Sequence, residues 1–237
     1  MVGHATEKTE FDRIADEYAE MHAQSIAASG ESPEYFARYK VVDVAEWLGS
    51  ARSDVRRILD FGSGTGNTLP HLAQWFPQAM VVNADISRRC MEVSRSRFPD
   101  IASQYCEIGA QQLPFNAASF DLVFTACVFH HIPPDQHGNW LKELKRVTKP
   151  GGRLFLFEHN PLNPLTVAAV RSCPFDENAV LIGAGDMTQR ITAAGWKAAE
   201  AVYRIFFPKP LAFARPMERW MRKLPLGAQY FVSAVNA

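Results

Sequence analysis

Residues 58–68 read ILDFGSGTGNT and place an acidic residue and three alternating glycines directly after a short apolar run. The run 55–59 predicts a buried strand, and apolar residues of 69–76 then recur at helical spacing until Pro77 ends the pattern. The glycines therefore lie at a turn from strand to helix. Because glycine has no Cβ, a ligand can approach the backbone there and meet the unpaired N–H groups at the start of the helix. The segment predicts a loop that holds a nucleotide-containing ligand.

The spacing of the glycines separates two classes of nucleotide-binding loop. A dinucleotide fingerprint has glycine at its first, third and sixth positions, but the sixth position counted from Gly62 is Asn67. The pattern is instead DxGxGxG, from Asp60 to Gly66. It resembles the first motif of the class I S-adenosylmethionine-dependent methyltransferases. An oxidoreductase that uses NAD is the less favoured alternative.

Three further segments resemble the same family, in the same order. Residues 81–84 are mostly apolar and are followed by Asp85. The resemblance implies that this carboxylate accepts hydrogen bonds from both ribose hydroxyls of the cofactor and that Ile86 packs on its adenine. QLPFNAASFDLVFTACVFHHIP (112–133) is similar to the region around the family's fourth strand, and KPGGRLFLFE (149–158) to its turn into the fifth. Agreement at four separated motifs is stronger evidence than a glycine-rich turn alone.

The resemblance implies S-adenosylmethionine as cofactor and S-adenosylhomocysteine as product. One position departs from the family, because Gly109 stands where relatives carry an acid that binds the adenine amino group. Gln111 or a backbone carbonyl is the expected substitute. No metal is expected, since the histidines show no HxH or HExxH spacing and the cysteines give no partner set. The expected cofactor-binding residues are Asp60, Gly62, Ser63, Gly64, Gly66, Asp85, Ile86, Ala110, Gln111, Cys127 and His131.

The resemblance also implies an α/β fold. The expected architecture is a three-layer sandwich around a Rossmann-like seven-stranded sheet, mostly parallel, with an antiparallel last strand and the strand order 3-2-1-4-5-7-6. Ligands of such sheets bind at the carboxyl ends of the strands. A chain of 237 residues predicts a single methyltransferase domain over 1–237. Its expected parts are an N-terminal helical cap (1–50), a cofactor-binding core (51–160) and an acceptor-side insertion with the last strands (161–237).

Several local patterns complete this prediction. Thr9 and Asp12 have capping-box spacing before an apolar stripe that reaches Tyr18, and a second helix is expected from about Pro33. Residues 159–182 form the least regular stretch, which is typical of a binding loop. A capped helix is expected near Asp186. The last two strands are predicted at 201–207 and 229–235.

Methyl transfer needs the acceptor held in line with an already activated methyl group and water kept away. A hydroxyl acceptor also benefits from a general base, and His159 and Glu158, at the end of the fifth strand, are the candidate catalytic residues. The alternative for Glu158 is that it accepts backbone N–H bonds and holds a loop. The candidate substrate-binding residues are Tyr18, Tyr35, His130 and Asn160, although aromatic stripes and strand-end histidines also serve structural roles.

Composition limits the partners. The formal net charge is zero, which argues against a nucleic-acid binder that relies on bulk attraction to phosphate. The four cysteines lack CxxC spacing and are expected to be free thiols in a reducing cytoplasm. No apolar run approaches the length of a membrane span and no signal-peptide pattern is present, which predicts a cytoplasmic protein.

The favoured function is methylation of a small-molecule or lipid-linked acceptor. A non-catalytic S-adenosylmethionine-binding protein is the main alternative, and the sequence does not indicate the oligomeric state.

Residues 216–224 form an amphipathic pattern near the basic end of the chain. Pro216 is a favourable first helical residue, apolar side chains then fall on one face, and Arg219, Arg222 and Lys223 fall outside it. The favoured interpretation is a helix that covers the sheet between its last two strands. The alternative is a face that contacts an anionic membrane and delivers a lipid-linked acceptor.

Overall fold

The computed structural model describes residues 11–12, 15, 18–109 and 112–237. Seven strands form one sheet in the order β3-β2-β1-β4-β5-β7-β6. This order confirms the predicted topology. The strands are β1 (Arg57–Phe61), β2 (Met80–Asp85), β3 (Ser103–Glu107), β4 (Phe120–Ala126), β5 (Thr148–His159), β6 (Lys197–Arg204) and β7 (Gln229–Val235).

The pairing of the strands decides where the functional edge lies. β1, β2, β3, β4 and β5 pair in parallel, whereas β7 is antiparallel to both β5 and β6. The predicted antiparallel last strand is therefore confirmed. His159, the last residue of β5, pairs with Gln229, the first residue of β7. The start of β7 thus lies at the same edge as the carboxyl ends of the parallel strands.

Helices cover both faces of the sheet, as the three-layer prediction requires. Along β4, Leu122 and Phe124 join one buried cluster and Val123 joins the other, because successive strand side chains point to opposite faces. Leu72 packs in the first cluster and Trp140 in the second. The helices are α1 (Tyr18–Ser25), α2 (Pro33–Leu48), α3 (Leu69–Trp75), α4 (Arg88–Arg97), α5 (His137–Val147), α6 (Pro164–Arg171), α7 (Ala184–Ala193) and α8 (Glu218–Met221).

The predicted boundaries are shifted at several strands. The first strand begins at Arg57 rather than at residue 55, and the sixth covers Lys197–Arg204 rather than 201–207. The fifth begins at Thr148, before the paired glycines, because Thr148 already pairs with Phe120, and the extra residues 149–152 of β5 form an irregularity before pairing resumes at Arg153. The seventh matches its predicted range, 229–235.

The segment predicted to be the least regular contains a helix. Asn163 caps α6 by accepting hydrogen bonds from the backbone N–H groups of Leu165 and Thr166, both at 3.1 Å. Pro164 is its first residue, where the missing N–H is not needed. A short 3₁₀ turn, Pro174–Asp176, follows. The prediction of an irregular segment was wrong here because the Asn–Pro pair is a helix start.

The helix near Asp186 is present as α7, but it begins after Gly183 and has no side-chain cap. The helix predicted from Pro33 is present as α2, where the Ser32 hydroxyl accepts the N–H of Tyr35. The predicted capping pair begins at Thr9, which is outside the described residues. Within the described ranges, no helix has the length and apolar character needed to cross a membrane.

The favoured interpretation of residues 216–224 is wrong. The segment forms a 3₁₀ turn, Lys209–Met217, and the four-residue α8. Met217, Trp220 and Leu224 are 52, 69 and 46% exposed, so they do not cover the sheet. The side chain that turns inward is Glu218, whose carboxylate accepts the N–H groups of residues 206 and 207.

Candidate functional site

The loop after β1 is fixed by hydrogen bonds to the end of β2. The N–H groups of Gly62 and Ser63 donate to the carbonyl of Ala84, at 2.7 and 3.2 Å. The N–H of Gly64 donates to the carboxylate of Asp85, at 2.7 Å. The loop can follow this path because its three glycines all adopt positive φ, between 51° and 78°.

The three glycines serve different purposes. A Cβ on Gly62 would lie 2.3 Å from a methyl group of Val128, and one on Gly66 would lie 2.0 Å from the hydroxyl of Ser94. These two positions allow the loop to pack against its neighbours. A Cβ on Gly64 would meet nothing within 4 Å. Gly64 therefore faces open space, where a ligand can lie against the backbone.

Asp85 is nearly buried and already accepts two backbone hydrogen bonds. One oxygen accepts from Gly64, and the other accepts the N–H of Ser87 at 2.8 Å. Burial raises the pKa of this carboxyl, and the two N–H donors partly offset that effect. A carboxylate oxygen accepts more than one hydrogen bond. Asp85 thus keeps acceptor capacity for a ligand hydroxyl.

Asp60 lies in β1, just before this loop, and is 2% exposed. It accepts a hydrogen bond from the hydroxyl of Thr68 at 2.6 Å. Burial raises its pKa to about 7, although the Thr68 hydroxyl acts against this, and the charge of Asp85 raises it further. Asp60 therefore stabilises the loop. Ser63 lies beside it and lines the polar cavity described below.

Two cavities open at the carboxyl edge of the sheet. The first, here called the apolar cavity, is lined mainly by hydrophobic side chains together with Asp85. The second, here called the polar cavity, is lined by histidines, Lys40 and residues of α2. Gly62, Gly64, Cys127 and His131 line both. The apolar lining includes Phe11, Phe61, Ile86, Ile108, Val128, Ile132 and Trp140.

The apolar cavity combines hydrophobic side chains with one carboxylate, which are the groups that an adenine ring and a ribose can contact. Ile86 lines it next to Asp85, so an apolar wall and a hydroxyl acceptor lie side by side. Gly109, which stands where the resemblance leads one to expect an acid, does not line the apolar cavity. Ala110 and Gln111, also named as cofactor residues, lie outside the described residues.

Cys127 lies where the two cavities meet. It follows β4 with a φ of 59°, an unfavourable conformation for a residue with a side chain. Its sulfur lies 3.7 Å from the ammonium of Lys40 and 3.9 Å from the amide of Gln229. Burial alone would raise the pKa of the thiol, but His159 and Lys40 outweigh it and lower the pKa to about 7.

Glu158 is fully buried and is engaged as an acceptor. Its carboxylate accepts the N–H of Phe129 at 2.8 Å and contacts Nδ1 of His130 at 2.6 Å. Burial alone would raise its pKa, but His130 and the neighbouring histidines lower it to about 2. A carboxylate with these partners and this pKa is a poor general base. The geometry therefore corresponds to the alternative that Glu158 holds the loop after β4.

His130 lies between two carboxylates. Its Nδ1 faces Glu158, and its Nε2 lies 3.3 Å from a carboxylate oxygen of Asp176. Burial alone would lower its pKa, but the two carboxylates hold the pKa well above its usual range. The same Asp176 oxygen is 3.4 Å from Nε2 of His131. The pair of histidines thereby ties the turn Pro174–Asp176 to the end of β4.

These three side chains also have the composition of a metal site. The ligand atoms of His130, His131 and Asp176 all lie within 4.8 Å of one another. However, the two carboxylates that raise the pKa of His130 favour its protonated form, which has no lone pair to offer a metal. In this charge state the cluster is a salt-bridged group, and the sequence-based expectation of no metal stays a prediction.

The other candidate residues occupy three kinds of position. His159 lines the polar cavity, with its Nδ1 3.3 Å from the amide nitrogen of Gln229. Asn160 does not line it, because its amide donates to the carbonyls of Pro225 and Gly227, at 3.1 and 2.7 Å. Tyr35 does not line it either, since its ring packs under the guanidinium of Arg215. The side chain of Tyr18 lies outside what the structure describes.

Sequence reasoning missed several residues of the polar cavity, notably Lys40, Asp176 and Gln229. Lys40 is only 7% exposed and lies four residues after Phe36, on the buried face of α2. A charged residue on an apolar helical stripe is the signal that would have found it. Asp176 and Gln229 carried no comparable signal.

Comparisons with known proteins agree with this geometry. A family model described as a methyltransferase domain matches residues 59–156. The biotin biosynthesis bifunctional protein BioHC of Cellvibrio japonicus is 30% identical over 67% of this chain and 32% of its own length. A demethylmenaquinone methyltransferase of Deinococcus radiodurans is 34% identical over 45% of this chain and 44% of its own. The chain therefore spans less than half the length of these relatives.

The fold has solved counterparts. A structure from Thermotoga maritima, described as an S-adenosylmethionine-dependent methyltransferase and possible histamine N-methyltransferase, superposes with a TM-score of 0.67 at 18% identity. The match covers 98% of this chain and 100% of that one. Together with the domain match at 59–156, this confirms the predicted resemblance. Residues 59–156 thus match a methyltransferase domain, and the fold is the one seen in S-adenosylmethionine-dependent methyltransferases.

Because Gly62 and Gly64 have different surroundings, alanine should reduce mainly stability at Gly62 and mainly cofactor affinity at Gly64. Gly62→Ala should destabilise the fold by roughly 2–4 kcal/mol, from left-handed strain and the clash with Val128. Gly64→Ala should cost about 1–2 kcal/mol from strain alone, but it should weaken S-adenosylmethionine binding at least about tenfold because it fills the open space. Thermal unfolding and calorimetry on both variants check this. Equal loss of stability with unchanged affinity in Gly64→Ala would contradict the assignment.

The lowered pKa of Cys127 predicts its reactivity. The thiolate is the reacting form, so alkylation by iodoacetamide should rise with pH and reach half its maximum near pH 7. Cys106 is the internal control, because burial raises the pKa of its thiol and its reaction should need more alkaline pH. Peptide mass spectrometry after short pulses separates the two sites. A half-maximum for Cys127 above pH 9 would show that Lys40 and His159 do not act on the thiol.

Proposed function

We propose that this protein transfers the methyl group of S-adenosylmethionine to a small-molecule acceptor. The adenosine would occupy the apolar cavity, the methionine portion would lie along Gly62–Gly64, and the acceptor would enter the polar cavity. The observation that carries this proposal is that the two cavities meet at Gly64 and Cys127. A donor in one and an acceptor in the other would face each other there.

The residues present fit the cofactor. The cofactor, when bound, supplies a methyl group already activated by its positive sulfur, so the protein has to bind, orient and keep water out. Asp85 and Ile86 provide a hydroxyl acceptor and an apolar wall. A Cβ on Gly64 would meet no protein atom within 4 Å, which leaves space for a ligand beside the backbone. The Cys127 thiolate, formed above a pKa of about 7, adds a negative charge that favours a cationic ligand at the junction.

His159 is our candidate for the group that removes a proton from the acceptor. It lines the polar cavity, and Gln229 lies 3.3 Å from its Nδ1, which orients the ring. Glu158 is already occupied by backbone N–H groups and by His130. At the end of β5, His159 is therefore the side chain that lines the polar cavity, where it also acts on the Cys127 thiol.

The relatives support a small acceptor. One acts on demethylmenaquinone and another belongs to biotin biosynthesis, as their names state. The polar cavity is consistent with this, because its open volume is about 140 Å³ and it is enclosed by α2 and by the turn that carries Asp176. We propose an acceptor small enough, at its reacting end, to enter that space.

The cofactor assignment is tested at Asp85. Replacing it by alanine should weaken S-adenosylmethionine and S-adenosylhomocysteine binding by roughly one to two orders of magnitude, because two charge-assisted hydrogen bonds to the ribose are lost. Titration calorimetry with both ligands and with NAD measures this on wild type and variant. Asp100→Ala, at an exposed position after α4, is the matched control and should bind normally. Preference for NAD, or unchanged affinity in Asp85→Ala, would refute the assignment.

The role of His159 is tested by turnover. His159→Ala should lower kcat by roughly 10² to 10⁴ while cofactor affinity stays nearly unchanged. His159→Gln keeps a polar side chain of similar reach but removes the base, so it should be equally slow. The acceptor for this assay comes from a metabolite screen that detects the gain of one methyl group. Wild-type turnover in either variant would eliminate the role, whereas binding without any turnover in the wild type would favour a non-catalytic protein.

A further inference from the structure

Large hydrophobic side chains are exposed in two segments that hydrogen bonds join. They belong to residues 209–226 and to the start of α6, and they are between 44 and 81% exposed. We call this set the apolar surface. Among the described residues, the exposed large hydrophobics outside it are Met80 and Val180. The apolar surface consists of Leu162, Leu165, Leu211, Phe213, Met217, Trp220, Leu224 and Leu226.

The start of α6 and the segment before β7 form a continuous surface. The side-chain amide of Asn163 donates to the carbonyl of Leu226 at 2.9 Å, and the hydroxyl of Thr166 donates to that of Ala228 at 2.9 Å. Leu162 and Leu165 flank this contact in the sequence. Two segments more than 50 residues apart thus contribute hydrophobic side chains to the same place.

The charges on this surface are of one sign. Exposed Lys209, Arg219 and Lys223 accompany the hydrophobic side chains of 209–226. The acidic residue of that segment, Glu218, is 5% exposed and bonded to backbone N–H groups, so its charge is turned inward. At its border, Arg222 and Lys223 lie 4.0 and 3.7 Å from Glu46 and Glu200, as exposed pairs that are weakly held.

The apolar surface is joined to residues that neighbour the lining of the polar cavity. Asn160, next to His159, holds the carbonyls of Pro225 and Gly227. At the other end, Arg215 forms an ion pair with Glu31 at 2.5 Å. Residues 26 and 33, on either side of that glutamate, line the polar cavity. The surface and the cavity therefore belong to the same edge of the sheet.

We propose that the apolar surface docks on an anionic lipid bilayer. Hydrophobic side chains with lysine and arginine around them are the composition that a lipid–water interface binds, because the side chains enter the acyl boundary and the cations meet anionic headgroups. The residues that line the polar cavity would then lie near the bilayer, where an acceptor with a lipid tail would be found. The docking goes beyond the proposed function and is measured without any catalytic step.

The test is sedimentation of the full-length protein with vesicles of phosphatidylcholine alone or mixed with phosphatidylglycerol, at low and at high salt. Binding is expected to the anionic vesicles and to weaken with salt. The double variant Phe213→Ser, Trp220→Ser should lower partitioning by about tenfold or more, because two exposed aromatic anchors are lost. Lys223→Glu should lower it by roughly tenfold at low salt and little at high salt.

Matched controls separate docking from general effects. Met80→Ser removes an exposed hydrophobic side chain at the start of β2, at the opposite edge of the sheet, and Lys142→Glu reverses an exposed charge on α5. Both should sediment like wild type. Circular dichroism should show all variants folded. Equal recovery of wild type in the supernatant of every vesicle sample, or undiminished binding by the double variant, would overturn the proposal.

The alternative occupant of the apolar surface is a second copy of the chain, and a measurement of molecular mass in solution detects it. A wild type that is monomeric in solution and binds vesicles supports the bilayer. A dimer that becomes monomeric in the double variant, without vesicle binding, would make the apolar surface an interface between copies and refute docking. Trp220→Phe provides a further readout, since it should keep sedimenting but lose most of the fluorescence blue shift caused by vesicles.

Discussion

The hydrogen bond from the N–H of Gly64 to the carboxylate of Asp85, at 2.7 Å, is the contact on which the site depends. It joins the loop after β1 to the end of β2, and it compensates a carboxylate that is almost removed from water. With the loop held there, Gly62 packs against Val128 and the backbone at Gly64 faces open space. The two cavities meet at that point, so one short contact determines where donor and acceptor would lie.

The polar cavity is organised by compensated charges. His130 is held between two carboxylates, and the ammonium of Lys40 lies beside the Cys127 thiol. Each charge has a partner within about 4 Å, which is the condition for stable burial. As a consequence, the two neighbouring side chains at the end of β5 have different surroundings. Glu158 accepts a hydrogen bond that holds the loop after β4, whereas His159 lines the polar cavity.

The sequence predicted the glycine-rich turn and the strand order well because their determinants are local. Glycine spacing, Asp85 and Ile86 follow strand ends within one stretch of the chain, and the strand order follows from the same resemblance. The polar cavity was predicted poorly because it is assembled from distant segments. Lys40, Asp176 and Gln229 are more than 50 residues apart and meet only through the fold. Tyr35 was chosen on α2, but the rotation of that helix brings Phe36 and Lys40 to the cavity instead.

The same distinction explains the error at residues 216–224. Helical periodicity identified an apolar face but could not show which face turns inward, and the buried carboxylate of Glu218 settles that orientation. The hydrophobic side chains are consequently left outside.

A crystal structure of the protein with S-adenosylhomocysteine tests the central claim most directly. The account predicts both ribose hydroxyls within hydrogen-bonding distance of Asp85, the adenine against Ile86 in the apolar cavity and the homocysteine along Gly62–Gly64, with its sulfur directed at the polar cavity. Ligand bound elsewhere, or a ribose that leaves the Asp85 carboxylate without a new partner, would contradict it.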